Sequence, residues 1–90
     1  MRSFARRRPL VTIYTRQRCG LCRQAEDVVD RVAGRRADIV VVDIDADPAI
    51  TELYTVRVPV VAIDGREVAE FQVDPRDLRR RLRAARRHRP

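Results

Sequence analysis

Lysine is missing from this chain: all 20 basic residues are arginines, a bias that genomic codon usage explains as readily as selected chemistry. Histidine occurs once, at His88 in the tail, and cysteine twice, at Cys19 and Cys22. A structural zinc site takes four ligands, so these three residues do not close one unless a second chain contributes. No run approaches the roughly 18 apolar residues of a membrane span, and the first residues lack the apolar core of a signal peptide. With no export signal and one closely spaced cysteine pair, the expected compartment is a reducing cytoplasm. Aromatic residues are few and scattered, at Phe4, Tyr14, Tyr54 and Phe71, so no basic surface interleaved with stacking rings is in view. There is no internal repeat.

What remains suffices for one small domain. A chain of 90 residues buries roughly 60–65% of the surface it exposes when unfolded. Its hydrophobic content of 44% is ordinary for a globular protein. Charge is unevenly placed. Residues 1–8 carry four arginines and no acid, residues 76–90 carry eight arginines against Asp77, and residues 9–75 hold eight arginines and twelve acids. Basic ends on a mildly acidic body suit nucleic acid, an acidic partner or a membrane surface; solvated ends without a partner are the simpler expectation. The division expected is a basic arm (1–8), a folded domain (9–83) and an Arg-rich tail (84–90). We expect a monomer without membrane or nucleic-acid partner.

The chemistry centres on Cys19-Gly20-Leu21-Cys22. Before it lies a short apolar run at 10–14, rich in the β-branched and aromatic types that favour strands. After it, Leu21, Ala25, Val28, Val29 and Val32 recur with the period of one helix face. The cysteines therefore fall at a strand-to-helix junction, Cys19 just outside the helix and Cys22 in its first turn. Backbone N–H groups at a helix start lack intrahelical partners and carry partial positive charge, which stabilises a thiolate placed there. Arg16, Arg18 and Arg23 lie close in sequence and no acid appears until Glu26, so nearby cations push the same way. A structural disulfide across so short a loop adds little stability, and two inert thiols packing as small hydrophobes remain open. In this strand–helix setting a Cys-x-x-Cys reads as a redox motif, with Cys19 the attacking nucleophile and Cys22 the resolving thiol.

The remaining elements follow from local signals. A helix over 20–33 ends at Gly34, a residue suited to the left-handed conformation after a helix. A strand near 38–44 contains Ile39-Val40-Val41-Val42, whose unbroken β-branched run predicts cover on both faces. Asp47-Pro48 is a cap followed by proline at the first helical position, starting a short helix over 48–54 that buries Ile50, Leu53 and Tyr54. Two strands flank Asp64-Gly65, a hairpin signal. Asp74-Pro75 starts a last helix with Leu78, Leu82 and Ala85 on one face. The order is βαβαββα: an α/β fold with a four-stranded mixed sheet and helices on both faces, the first two strands parallel.

In this order the motifs resemble the glutaredoxin-like branch of the thioredoxin superfamily, over about residues 10–82. Ile13-Tyr14-Thr15-Arg16 before the cysteines is similar to the tyrosine-threonine-basic run of glutaredoxins. Val58-Pro59-Val60-Val61 is similar to the family's valine-proline segment, whose proline is cis. The acidic stretch from Asp43 to Pro48 is especially similar to a poorly characterised group of bacterial glutaredoxin-like proteins. The resemblance implies a dithiol thiol–disulfide oxidoreductase with a thioredoxin-like fold, acting on protein or small-molecule disulfides with an electron-donor reductase as partner. It implies Tyr14, Arg16, Arg18, Val58 and Pro59 as substrate-contacting residues, no metal and no bound cofactor. The family's paired glycines and following acid after the fourth strand are replaced by Phe71-Gln72-Val73-Asp74, so the reductant is glutathione or an NADPH-dependent disulfide reductase. The alternative is a non-catalytic binding module using the Arg-rich ends toward nucleic acid or an acidic partner, its cysteines vestigial or metal-binding.

Overall fold

Alternation along the first strand decides which side of the sheet becomes the core. In the computed structural model, which describes residues 8–87, β1 (Leu10–Thr15) buries Val11, Ile13 and Thr15, while Leu10, Thr12 and Tyr14 point to the opposite face. It is followed by α1 (Gly20–Ala33), β2 (Asp38–Asp43), a 3₁₀ turn (Ile44–Ala46), α2 (Pro48–Tyr54), β3 (Val60–Ile63), β4 (Arg66–Glu70) and α3 (Pro75–Arg87). The strand order is β2-β1-β3-β4, with β1 and β2 parallel and the other two pairings antiparallel. The expected α/β architecture with a mixed sheet is what forms.

One core holds it together. Val11 and Ile13 of β1, Val61 and Ile63 of β3, Val29, Val32 and Ala33 of α1, and Leu78 and Leu82 of α3 form a single buried cluster. Both long helices therefore lie on one face. Each fully buried aliphatic side chain there contributes roughly 1.5–3 kcal/mol. On the other face α2 approaches, its Tyr54 ring stacked on Tyr14 at 4.3 Å. The hairpin is the two-residue type expected, with Asp64 at φ 50° and Gly65 at φ 84°. Asp64 also fastens the start of β1: its carboxylate accepts the Leu10 N–H at 2.9 Å and its N–H donates to the Leu10 carbonyl at 2.8 Å.

Four expectations need correction. The run at 39–42 is not covered on both faces: β2 is an edge strand, and Val40 and Val41 are 45% and 53% exposed. A β-branched run reports fitness for a pleated sheet, not a central place within it. Gly34 is right-handed, at φ −51°; a Cβ there would lie 2.5 Å from the Asp30 carbonyl oxygen, so close approach explains the glycine. The short helix α2 buries no residue and Leu53 is 65% exposed; what goes inside is Ile44, just before it. Finally, α3 continues to Arg87 and Ala85 packs against the core, so ordered helix extends into the segment 84–90 assigned to a tail. His88 and most of the arm at 1–8 lie outside the described residues.

Candidate active site

The cysteine pair sits where the helix periodicity places it. Cys19 is the N-cap of α1, in extended conformation, and its Sγ accepts the Cys22 N–H at 3.1 Å. The sulfur thus acts as a capping acceptor, satisfying one of the donors left unpaired at a helix start. Cys19 is half-buried, Cys22 fully buried beneath it, and the two are joined as a disulfide with Cα atoms 5.2 Å apart. Gly20 and Leu21 between them are exposed. Among the described residues no group of three or more histidine, cysteine, aspartate or glutamate side chains is arranged to hold a metal ion.

Strand register brings the second element to the same end of the sheet. Tyr14 pairs with Val60, which sets Pro59 level with the end of β1, where the turn toward Cys19 begins. Pro59 is buried, Val58 half-buried, and the bond between them is cis. The next strand arrives there too: the Phe71 N–H donates to the Pro59 carbonyl at 2.8 Å. Phe71 itself is left-handed, at φ 65°, and 45% exposed. A bulky residue in that region is held only where its surroundings over-determine it. Arg18, at φ 60° directly before Cys19, is a second such residue.

Of the three arginines close to Cys19 in sequence, two are committed to carboxylates. Arg16 grips Asp45 through Nε at 3.1 Å and Nη2 at 2.7 Å, and its Nη1 donates to the Thr55 carbonyl and hydroxyl at 2.9 and 3.1 Å. Most of its guanidinium donors are therefore spent tying β1 to the 3₁₀ turn and the end of α2. Hydrogen bonding from Arg16 holds the Asp45 carboxyl below its ordinary range, and the same bond raises Arg16 further. Arg23 pairs with Glu26 at 2.8 Å. Among the described residues, Arg18 alone of the three forms no ion pair or side-chain hydrogen bond.

Tyr14, another expected substrate contact, faces away from the core side and belongs to a second cluster. Tyr54 stacks on it, and the Tyr54 hydroxyl donates to Glu67 at 3.3 Å. Arg57 lies 5.2 Å from the Tyr54 ring centre and pairs with both Glu67 and Glu70, the latter at 2.7 Å. Sequence reasoning missed Asp45, Thr55 and Arg57; the one available signal was the alternation of opposite charges between 57 and 70. Burial, then the neighbouring Tyr14 and Glu67, push the Tyr54 phenol up to about 12. Because the folded value exceeds the ordinary value near 10, this stabilisation is complete below pH 10 and fades as pH rises toward 12. An ultraviolet titration should show a late phenolate step near pH 12 that Tyr54→Phe removes. A Tyr54→Phe protein that retains the step would sink the assignment.

Residues 10–83 match the family described as Glutaredoxin-like domain (DUF836). This chain belongs to that glutaredoxin-like family. An uncharacterized protein of Mycobacterium tuberculosis is 33% identical over 78 residues, covering 80% of each chain. Among solved structures, the X-ray structure of protein XcR50 from X. campestris is 36% identical, with a TM-score of 0.70 over 82% of this chain and 96% of that one. A mutant thioredoxin from Halobacterium salinarum is 26% identical, with a TM-score of 0.65 over 88% of this chain and 75% of that one. The glutaredoxin-like domain thus has a thioredoxin-like fold with a Cys19–Cys22 disulfide at its helix junction. None of its helices among the described residues is long and apolar enough to cross a membrane.

Proposed function

We propose that this glutaredoxin-like chain is a dithiol thiol–disulfide oxidoreductase that reduces protein or small-molecule disulfides, as a monomer in a reducing cytoplasm. The observation that carries the reading is the asymmetry of the pair: an accessible Cys19 capping α1, disulfide-bonded to a Cys22 that is fully buried. In the reduced protein the Cys22 N–H would donate to the Cys19 sulfur, a bond that favours the charged form. The Cys19 thiolate attacks one substrate sulfur, forming a mixed disulfide and expelling the other sulfur as a thiolate that takes up a proton. Cys22, once deprotonated, attacks the Cys19 sulfur, re-forms the internal disulfide and releases the second substrate thiol. Two electrons pass from the dithiol to the substrate, and an external reductant restores them. Arg18 is the cation left to attract an anionic substrate, and the Val58–Pro59 segment offers backbone at the same end of the sheet. The positions of Tyr14 and Arg16 support positioning roles instead: they anchor α2 and the 3₁₀ turn beside β1.

The reductant we propose is a flavin-dependent, NADPH-driven disulfide reductase or another dithiol rather than glutathione. In glutaredoxins the paired glycines after the fourth strand hold a glutathione carboxylate; here the Phe71 and Gln72 N–H groups already donate to the Pro59 and Glu70 carbonyls. Asp74, in the place of the acid, caps α3 by accepting the Arg76 N–H at 2.9 Å. Each charge-assisted bond a ligand cannot make loses about 1.5–3 kcal/mol, roughly ten- to a hundredfold in affinity. The test compares turnover of one disulfide substrate by glutathione plus its reductase with turnover by thioredoxin reductase and NADPH. We expect weak, unsaturated turnover with glutathione and faster turnover with the dithiol system. Saturable turnover with glutathione alone would defeat the choice of reductant, and no cysteine-dependent turnover with either would defeat the oxidoreductase reading itself.

A further inference from the structure

The far end of α1 carries a different site. Roughly 20 Å along the helix from Cys19, Arg31, Arg35 and Arg36 meet Arg79 of α3 around a cleft of about 280 Å³. Asp30 is the one acid in its lining, which leaves a formal charge of +3 there. Among the described residues none of these four arginines forms an ion pair or side-chain hydrogen bond, whereas Arg16, Arg23, Arg57, Arg80 and Arg81 all do. On α3, Asp77 draws Arg80 and Arg81 to itself. Arg76, Arg79, Arg83 and Arg86, spaced three, four and three residues apart, remain as an exposed stripe on one helix face. These exposed guanidinium groups repel one another weakly through water, and an anion bridging them would relieve that repulsion.

A helix C-terminus ordinarily repels anions, but here the nearby carbonyls are occupied: Asp30 accepts from Gly34, and Ala33 from Arg36 and Ala37. Guanidinium forks match phosphate oxygens two at a time. No aromatic ring lines the cleft, so nothing there stacks a base, and its volume falls just below the usual ~300–1,000 Å³ range for drug-sized ligands. We propose that this cleft binds a small oligophosphate anion, recognised through its phosphates alone. The site is independent of the redox reading.

Tripolyphosphate is the probe, titrated into the full chain by calorimetry and by amide chemical shifts at ~0.15 M salt. We expect saturable binding, with shifts centred on 31–36 and 79. Arg36→Glu and Arg79→Glu should each weaken it by roughly tenfold or more. Arg66→Glu, at the start of β4 and outside the cleft lining, makes the same change in net charge and should alter it less than twofold. Equal losses from Arg36→Glu and Arg66→Glu would reduce the effect to general charge attraction and overturn the site. So would an absence of saturable binding, shifts centred elsewhere in the unaltered chain, or tighter binding of a single-stranded oligonucleotide with the same number of phosphates.

Discussion

Replacing Cys19 by serine should abolish thiol–disulfide exchange altogether, while replacing Cys22 should arrest it halfway. The half-buried sulfur of Cys19 is the one a substrate can reach, and Cys22 is sealed beneath it with no exposure. Without the Cys19 thiolate no mixed disulfide forms, because a hydroxyl does not substitute for the thiolate nucleophile. Cys22→Ser leaves the first step intact and removes the resolving thiol, so partners should accumulate as covalent adducts that a reducing gel releases. The main chain at position 22 still donates its N–H to the Cys19 sulfur that caps α1, so the trapped species should remain folded. Mass spectrometry after brief iodoacetamide treatment of the reduced protein at mildly acidic pH should find Cys19 labelled first. Preferential labelling of Cys22, or trapping by Cys19→Ser, would reverse the roles assigned.

Leu78→Ala should cost about 2–5 kcal/mol, a large part of the stability of a domain this size. Leu78 is 1% exposed and belongs to the cluster joining α3 to β1, β3 and α1. Truncation removes its transfer energy and leaves a cavity that a sheet on one side and a helix on the other cannot fully close. Leu53→Ala is the matched comparison: the same chemical change at a residue 65% exposed should stay within about 0.5 kcal/mol. Urea denaturation of the two variants, read from midpoints at unchanged slope, decides the matter. Similar losses at both positions would mean that α2 is packed more firmly than its exposure indicates.

That pair also shows where sequence reasoning succeeds and where it stops. Leu53 and Leu78 look alike in sequence, each in a helix begun by Asp-Pro, and local pattern puts both inside. The longer helix repeats its apolar positions over three turns, with Leu78, Leu82 and Ala85, and the repetition gives its face a direction. The seven-residue α2 has too few turns to define one, and its orientation is settled by Tyr54 stacking on Tyr14 and by Arg16 holding Thr55. At the candidate site the same division applies. Cys19 and Cys22 are legible because their placement depends on one strand end and one helix start adjacent in sequence. The partners of Arg16 are not legible, because nearness along the chain to Cys19 says nothing of a guanidinium whose partners lie 29 and 39 residues away.

Sequence alone determined the order βαβαββα, the caps at Asp47 and Asp74, the Asp64-Gly65 turn and the cysteine pair at the start of α1. Each of these rests on interactions within a few residues: a carboxylate reaching an N–H two positions on, two left-handed residues closing a hairpin, a sulfur capping the turn that follows it. Tertiary structure alone decided that β2 lies at the sheet edge, that Gly34 is needed for space rather than handedness, and that the Phe71 N–H is engaged within the fold. It also decided which arginines are paired and which four are left facing one cleft. The reason is physical: burial and ion pairing depend on what the folded chain brings within a few ångströms, and in this sheet those neighbours come from segments far apart in sequence.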